Sequence, residues 1–176
     1  YVGRAKDVQA MEKARLADPA DAALLAKLEG LLAPLKAAQP EVYAAVLGSG
    51  LKDTGIGSTI FALKPGDGSA REQAASCQKV LGGWANVAAE YATKRYRSNL
   101  INWGMLPFQL NGAAPFGLGD YILIPHVREA LKGDLQNIPA YVLGEEVKTF
   151  TLYMSPLTSD EREILADGCL INYYKR

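Results

Sequence analysis

Histidine and cysteine are scarce in this chain: 176 residues contain one histidine, His126, and two cysteines, Cys77 and Cys169. The cysteines stand far apart and form no Cys-x-x-Cys pair, which excludes a disulfide framework and a zinc ligand set of the usual spacing. That usage fits a reducing, cytoplasmic setting. Net charge is missing as well. Nineteen basic residues balance nineteen acidic ones, leaving no overall field to gather nucleic acid or an anionic membrane surface. No apolar run approaches the roughly 20 residues that cross a bilayer, and no signal-peptide layout opens the chain. The first residue is Tyr1 rather than methionine, and the sequence reads as a fragment of a longer protein. Internal repeats and low-complexity tracts are absent.

What is present divides near residue 57. Hydrophobic residues make up 49% of the chain, enough to bury one core with a helical appendage. Residues 1–56 read as a helical lead-in. Asp18-Pro19 offers an N-cap followed by proline at the first helical position. Leu24, Leu25, Leu28, Leu31, Leu32 and Leu35 follow a helical stripe that Pro34 and the alanines after it are expected to end. A stripe of this kind packs against its parent domain more often than against a partner. Pro40 opens a further helix, expected to close at Gly48. From residue 57 to 176 short strands and helices alternate, as in a compact α/β domain. Strands are expected over 58–63, 87–92, 105–109, 121–124, 140–143 and 148–153. Helices are expected over 70–80, 93–102, 125–131 and 159–166, the last capped by Ser159.

The densest chemistry lies in the octet Gly68-Ser69-Ala70-Arg71-Glu72-Gln73-Ala74-Ala75. It follows a strand and a Pro-Gly-Asp-Gly turn and runs into a helix. The first amides of such a helix are unpaired, and its dipole favours negative charge at that end. Arg71 adds a planar cation suited to a carboxylate or phosphate, beside the Ser69 hydroxyl. The segment lacks the Gly-Lys-Ser/Thr ending of a nucleotide phosphate loop. On position alone Ser69 reads as a helix N-cap, and Arg71 as a solvated residue or a partner of Glu72 or Asp67. Yet an arginine at the positive end of a helix is electrostatically mismatched unless an anion arrives there.

The octet, read with Ser98-Asn99-Leu100-Ile101-Asn102-Trp103-Gly104-Met105-Leu106-Pro107, resembles the C-terminal swivel domain of the aconitase superfamily. That domain carries a Gly-Ser-Ser-Arg-Glu-His-Ala-Ala motif followed by an Asn-Leu-x-x-x-Gly-Leu-Leu-Pro-Leu segment. The ending Asp167-Gly168-Cys169-Leu170-Ile171-Asn172-Tyr173-Tyr174 is similar to the family's closing run, so the resemblance spans Ser58 to Arg176. It implies an α/β fold, an aconitase-type swivelling β/β/α domain with the helical lead-in before it.

The resemblance also implies a function, that of a hydro-lyase acting on a small hydroxy-carboxylic acid. In that scheme Ser69 is the catalytic base, and Ser69, Ala70 and Arg71 bind the substrate. A [4Fe–4S] cluster held by other domains of the parent protein binds the departing hydroxyl. This chain itself supplies no metal ligand, and alone is expected to be inactive. Ala70 departs from the family's second serine: it keeps the backbone amide and loses a hydroxyl. Gln73 replaces the common histidine, a pattern closer to aconitase-like hydratases than to the citrate-converting enzymes. The alternative is a non-catalytic anion-binding or interaction module from a degenerate paralogue.

The remaining candidates read as structural. Lys94, Arg95 and Arg97, with Tyr91 and Tyr96, form a solvated helix face, since a nucleic-acid surface would need a basic overall balance. His126 is a surface or cap residue, Cys77 a buried thiol, and Tyr173 and Tyr174 packing residues. Asp67 and Asp120 are turn residues.

Overall fold

A computed structural model describes residues 2–176. The chain is an α/β protein. Helices α1 (Val2–Ala17), α2 (Ala22–Ala38) and α3 (Pro40–Ser49) precede strand β1 (Ser58–Ala62), helix α4 (Arg71–Val80) and strand β2 (Gly83–Ala88). Helix α5 (Lys94–Asn102), strands β3 (Leu106–Gln109) and β4 (Tyr121–Leu123), and helix α6 (Val127–Lys132) follow. Strands β5 (Ile138–Leu143) and β6 (Lys148–Leu152) and helices α7 (Ser159–Asp167) and α8 (Leu170–Tyr173) complete the order. Among the described residues no helix is long and apolar enough to cross a membrane.

The chain forms two compact units. One comprises the residues up to Ile56 together with Ala114–Pro125 and Pro139–Phe150. Here Leu32 and Leu35 of α2 are buried with Tyr141 of β5, and Leu123, Leu143, Tyr43 and Val46 pack around them. The leucine stripe therefore meets strands from much later in the sequence, β4 and β5, which pair antiparallel through Ile122 and Val142. Met11, Leu24 and Leu51 form a second small core under α1. Arg15 ties that end together, donating to both carboxylate oxygens of Glu12 at 2.7 Å and to the Leu51 carbonyl at 3.1 Å.

Several expected helix ends move. Asp18 does not cap α2. Its Oδ1 accepts from the Ala20 amide in a turn, and Asp21 is the cap, accepting from the Leu24 amide at 3.0 Å. Pro34 lies inside α2, which continues to Ala38, because the packing of Leu32 and Leu35 offsets the lost hydrogen bond. Helix α3 passes through Gly48 and stops at Gly50, whose φ of 66° a residue with a side chain adopts reluctantly.

The second unit comprises Gly57–Ala113, His126–Ile138 and Thr151–Arg176. Its centre is a parallel sheet in the order β1-β2-β3, with Phe61 opposite Val87 and Val87 opposite Phe108. Each strand passes to the next through one helix, α4 then α5, as parallel pairing requires. Strand β2 begins at Gly83 rather than near residue 87, and the expected residues 89–92 form the loop into α5. The apolar face of α5 explains its position: Tyr96, Leu100 and Ile101 are buried, with Met105, Phe108, Leu152 and Met154 fully enclosed nearby in sequence or on neighbouring elements. Helix α7 carries a capping box on Thr158, not on Ser159; Thr158 Oγ1 accepts from the Glu161 amide while Glu161 accepts from the Thr158 amide.

Gly104, inside the second motif, has a structural reason. Its φ is +67°, and a Cβ there would stand 1.5 Å from the Gly168 carbonyl oxygen. Gly104→Ala is expected to destabilise the chain by about 3 kcal/mol or more, through backbone strain and forced separation of the two segments. A urea unfolding midpoint equal to the wild type's would contradict this packing.

Candidate functional site

The site begins with the crossover from β1 to α4. Strand β1 ends at Ala62, and the chain turns through Pro65-Gly66-Asp67-Gly68 before α4 starts at Arg71. Gly66 governs the turn. Its φ is +97°, and the ring of Tyr96 lies so close that an added Cβ would come within 2.5 Å of it. The Gly66 carbonyl accepts from Thr93 Oγ1 at 3.1 Å and from Arg71 Nε at 3.3 Å. Thr93 also caps α5, accepting from the Tyr96 amide at 3.2 Å. One hydroxyl thus joins the turn before α4 to the start of α5.

Tyr96 is held from below. Its hydroxyl accepts from Asn86 Nδ2 at 2.9 Å and from Gln78 Nε2 at 2.8 Å. Asn86 belongs to β2 and Gln78 to α4, so strand and helix both fix the ring against which Gly66 rests. Tyr91 adds to the same frame by donating to the Phe108 carbonyl at 2.9 Å. Burial, and secondarily the neighbouring Tyr96, hold the Tyr91 phenol well above the usual tyrosine range.

On this frame Ser69 and Arg71 line one cavity of about 350 Å³. Ser69 does not cap the helix. Ala70 occupies the N-cap position, and no side chain bonds to the first amides of α4. The α4 N-terminus is therefore without a side-chain cap. Ala70 adjoins the cavity only through its place in the chain and is not among the side chains that line it.

Lys94, Arg95, Ser98 and Asn99 of α5 complete the lining, with Glu72. Sequence reasoning placed Lys94 and Arg95 on a solvated face. Both are exposed, but that face is a wall of the cavity. Ser98 and Asn99 sit within the second motif, and the signal that could have found them is the motif itself: two family-like segments, one α4 start and one α5 face, meet at one place. Glu72 is occupied by Trp103, whose Nε1 donates to it at 3.0 Å. Among the described residues, Arg71, Lys94 and Arg95 have no carboxylate within ion-pair distance. Three cations and one carboxylate, Glu72, line the cavity, and this excess of positive charge suits an anion.

The other candidates lie elsewhere. His126 stands at the start of α6 in the left-handed region, φ 56°, makes no capping bond, and does not line the cavity. Cys77 is exposed, not buried, because it falls on the outer face of α4. Tyr174 is largely exposed and meets Tyr173 edge-on rather than packing into a core. Asp120 does serve a turn, accepting from the Gly117 amide at 2.8 Å. No three histidine, cysteine, aspartate or glutamate side chains are grouped to hold a metal ion among the described residues. The side chains present do not fit an iron–sulfur cluster.

Residues 49–113 match the family model described as the aconitase C-terminal domain. That match supports an aconitase-type C-terminal domain over this segment. The matched segment holds the whole parallel sheet, α4, α5 and every cavity residue from Ser69 to Asn99. The similar closing run from Asp167 onward lies outside it. No curated protein matches the chain. Within the matched segment the two motifs are brought onto one cavity by the Gly66–Tyr96 contact.

Two outcomes follow from this frame. Gly66→Ala is expected to destabilise the domain by about 2–4 kcal/mol, from left-handed strain and overlap with the Tyr96 ring; thermal and urea unfolding measure it. The second concerns alkaline pH. The Tyr91 phenol has its affinity for a proton raised by folding, so its contribution is complete below the unfolded value of about 10 and is lost as pH rises above it. Stability of the wild type should fall above about pH 10 more steeply than that of Tyr91→Phe. Parallel stability curves for the two proteins would contradict the assignment.

Proposed function

We propose that this chain is the C-terminal domain of an aconitase-like hydro-lyase, contributing the substrate-carboxylate site and the catalytic serine. The observation that carries the reading is the shared cavity: a serine not used as a helix cap, at a helix N-terminus, beside an arginine without an acidic partner. In this reading residues 57–176 act as a swivel domain that closes on other domains of a cytoplasmic parent protein. An iron–sulfur cluster belongs to those other domains in this reading.

The chemistry asked of this chain is proton removal next to a carboxylate. Arg71, with the Ala70 amide and the α4 N-terminus, grips the carboxylate. Ser69 oxygen, as alkoxide, takes the proton from the carbon α to it. The electron pair of that C–H bond becomes the new double bond, and the hydroxyl leaves the adjacent carbon with its bonding pair as hydroxide. The hydroxide takes a proton from solvent while Ser69 releases its own, so the net products are the alkene and water. A serine alkoxide is a strong base and needs stabilisation; Arg71, Lys94, Arg95 and the helix dipole supply positive potential in one place. No histidine lines the cavity, which separates this arrangement from the serine–histidine pairs of hydrolases.

Ala70 supports a second reading. Without the family's second hydroxyl, the same cavity would serve a non-catalytic anion-binding module. Steady-state kinetics of the parent protein on an unsaturated carboxylic acid, followed by alkene absorbance, separate the two. Ser69→Ala is expected to lower kcat about 100-fold or more with little change in KM. Arg71→Lys should lower kcat/KM about tenfold or more, by loss of the planar fork. A parent protein without turnover that still binds the acid would select the module. Full turnover by Ser69→Ala would remove the serine from the reaction.

A further inference from the structure

Lys94 lines a second cavity, of about 360 Å³, within the same unit. Arg97, one helical turn further along α5, lines it too, with Gln109 of β3 and Ser155. We propose that this cavity is a separate oxyanion site, in which Lys94 and Arg97 hold a carboxylate or phosphate group that does not occupy the Ser69–Arg71 cavity.

The case rests first on Arg97. Its side chain is largely buried, yet its nearest carboxylate oxygen, on Glu161, stands 4.0 Å from Nη2, at the outer limit of an ion pair. Glu161 is already engaged in the capping box of α7. The Nε–H of Arg97 has no acceptor among the described residues. A guanidinium presents five donors, and burying them without acceptors is costly. This one lines a cavity large enough for a small anion, and its nearest carboxylate lies at the limit of an ion pair.

The surroundings agree in sign. Glu90, the acid that lines the cavity, is paired with Lys64 at 3.1 Å. Lys94 has no ion-pair partner among the described residues. Tyr91 forms part of the wall as a neutral phenol, since burial opposes its ionisation. The Ser155 hydroxyl donates to Gln109 Oε1, which orients the amide. Gln109 Nε2 then has only a long bond, 3.4 Å, to the Tyr153 hydroxyl, and keeps donor capacity. A cation pair and an oriented amide around a small space suit an oxyanion rather than an apolar or cationic ligand. The proposal is independent of the hydro-lyase reading.

The test is an NMR titration of the 176-residue chain with inorganic phosphate and, separately, with acetate, following the Gln109 side-chain amide and the Ser155 backbone amide. Saturable shifts with either anion are expected in the wild type and in Arg71→Gln. The anion that binds identifies the tetrahedral or the planar group as the ligand. Arg97→Gln should abolish the response, and Arg97→Lys should weaken it about tenfold, since a lysine keeps the charge and loses the fork. Should Arg97→Gln fail to fold, Arg97→Lys decides, because it retains the cation facing Glu161. Absence of saturation with both anions overturns the proposal. So do affinities unchanged in the Arg97 variants, or a loss in Arg71→Gln as large as theirs, which would mean one site rather than two.

Discussion

The contact between Gly66 and the Tyr96 ring is the constraint on which the candidate site depends. Tyr96 is buried and hydrogen-bonded by side chains from β2 and α4, so its ring is a fixed surface. Only a residue without Cβ can approach it as Gly66 does and take φ of +97° there. The backbone is then turned so that the Gly66 carbonyl meets Thr93 and Arg71. Removing that close approach would free the turn carrying Ser69 from the helix carrying Lys94 and Arg95. The cavity exists because two crossovers of one parallel sheet are fastened to each other at this point.

Charge is distributed unevenly around a neutral chain. Glu90 pairs with Lys64, and Glu161 bonds its own helix end. The cations Arg71, Lys94 and Arg95 have no carboxylate within ion-pair distance among the described residues. Positive potential here is therefore local, arising from where these cations sit rather than from net charge. Ala70 fits the same pattern. It removes a hydroxyl but leaves the helix end uncapped, so the site retains its positive character while losing one hydrogen-bonding group.

Periodicity located most elements because strands such as 58–62 and helices such as 94–102 carry their own turn and cap signals. It failed where long-range packing outweighed local preference. Of the expected terminators of α2, Pro34 does not stop the helix, because Leu32 and Leu35 are buried against Tyr141, and the helix ends among the alanines after it, at Ala38. The start of β2 was misread because Gly83 and Trp84 follow a Leu-Gly turn and look like loop, whereas backbone pairing with β1 brings them into the sheet. Cys77 has the composition of a core residue and the position of an outer one.

The chemistry of Ser69 and Arg71 could be inferred from the chain alone, because a turn, a helix start and their residue types are local facts. The family resemblance, too, is legible from two ordered motifs, and the family-model match covers both. Folding was needed to show that Ser69 is not a cap and that Lys94, Arg95, Ser98 and Asn99 share its cavity. Those residues lie one crossover later, and linear spacing carries no information about which faces of α4 and α5 meet. That is settled by burial of Tyr96 and by the absence of a side chain at Gly66.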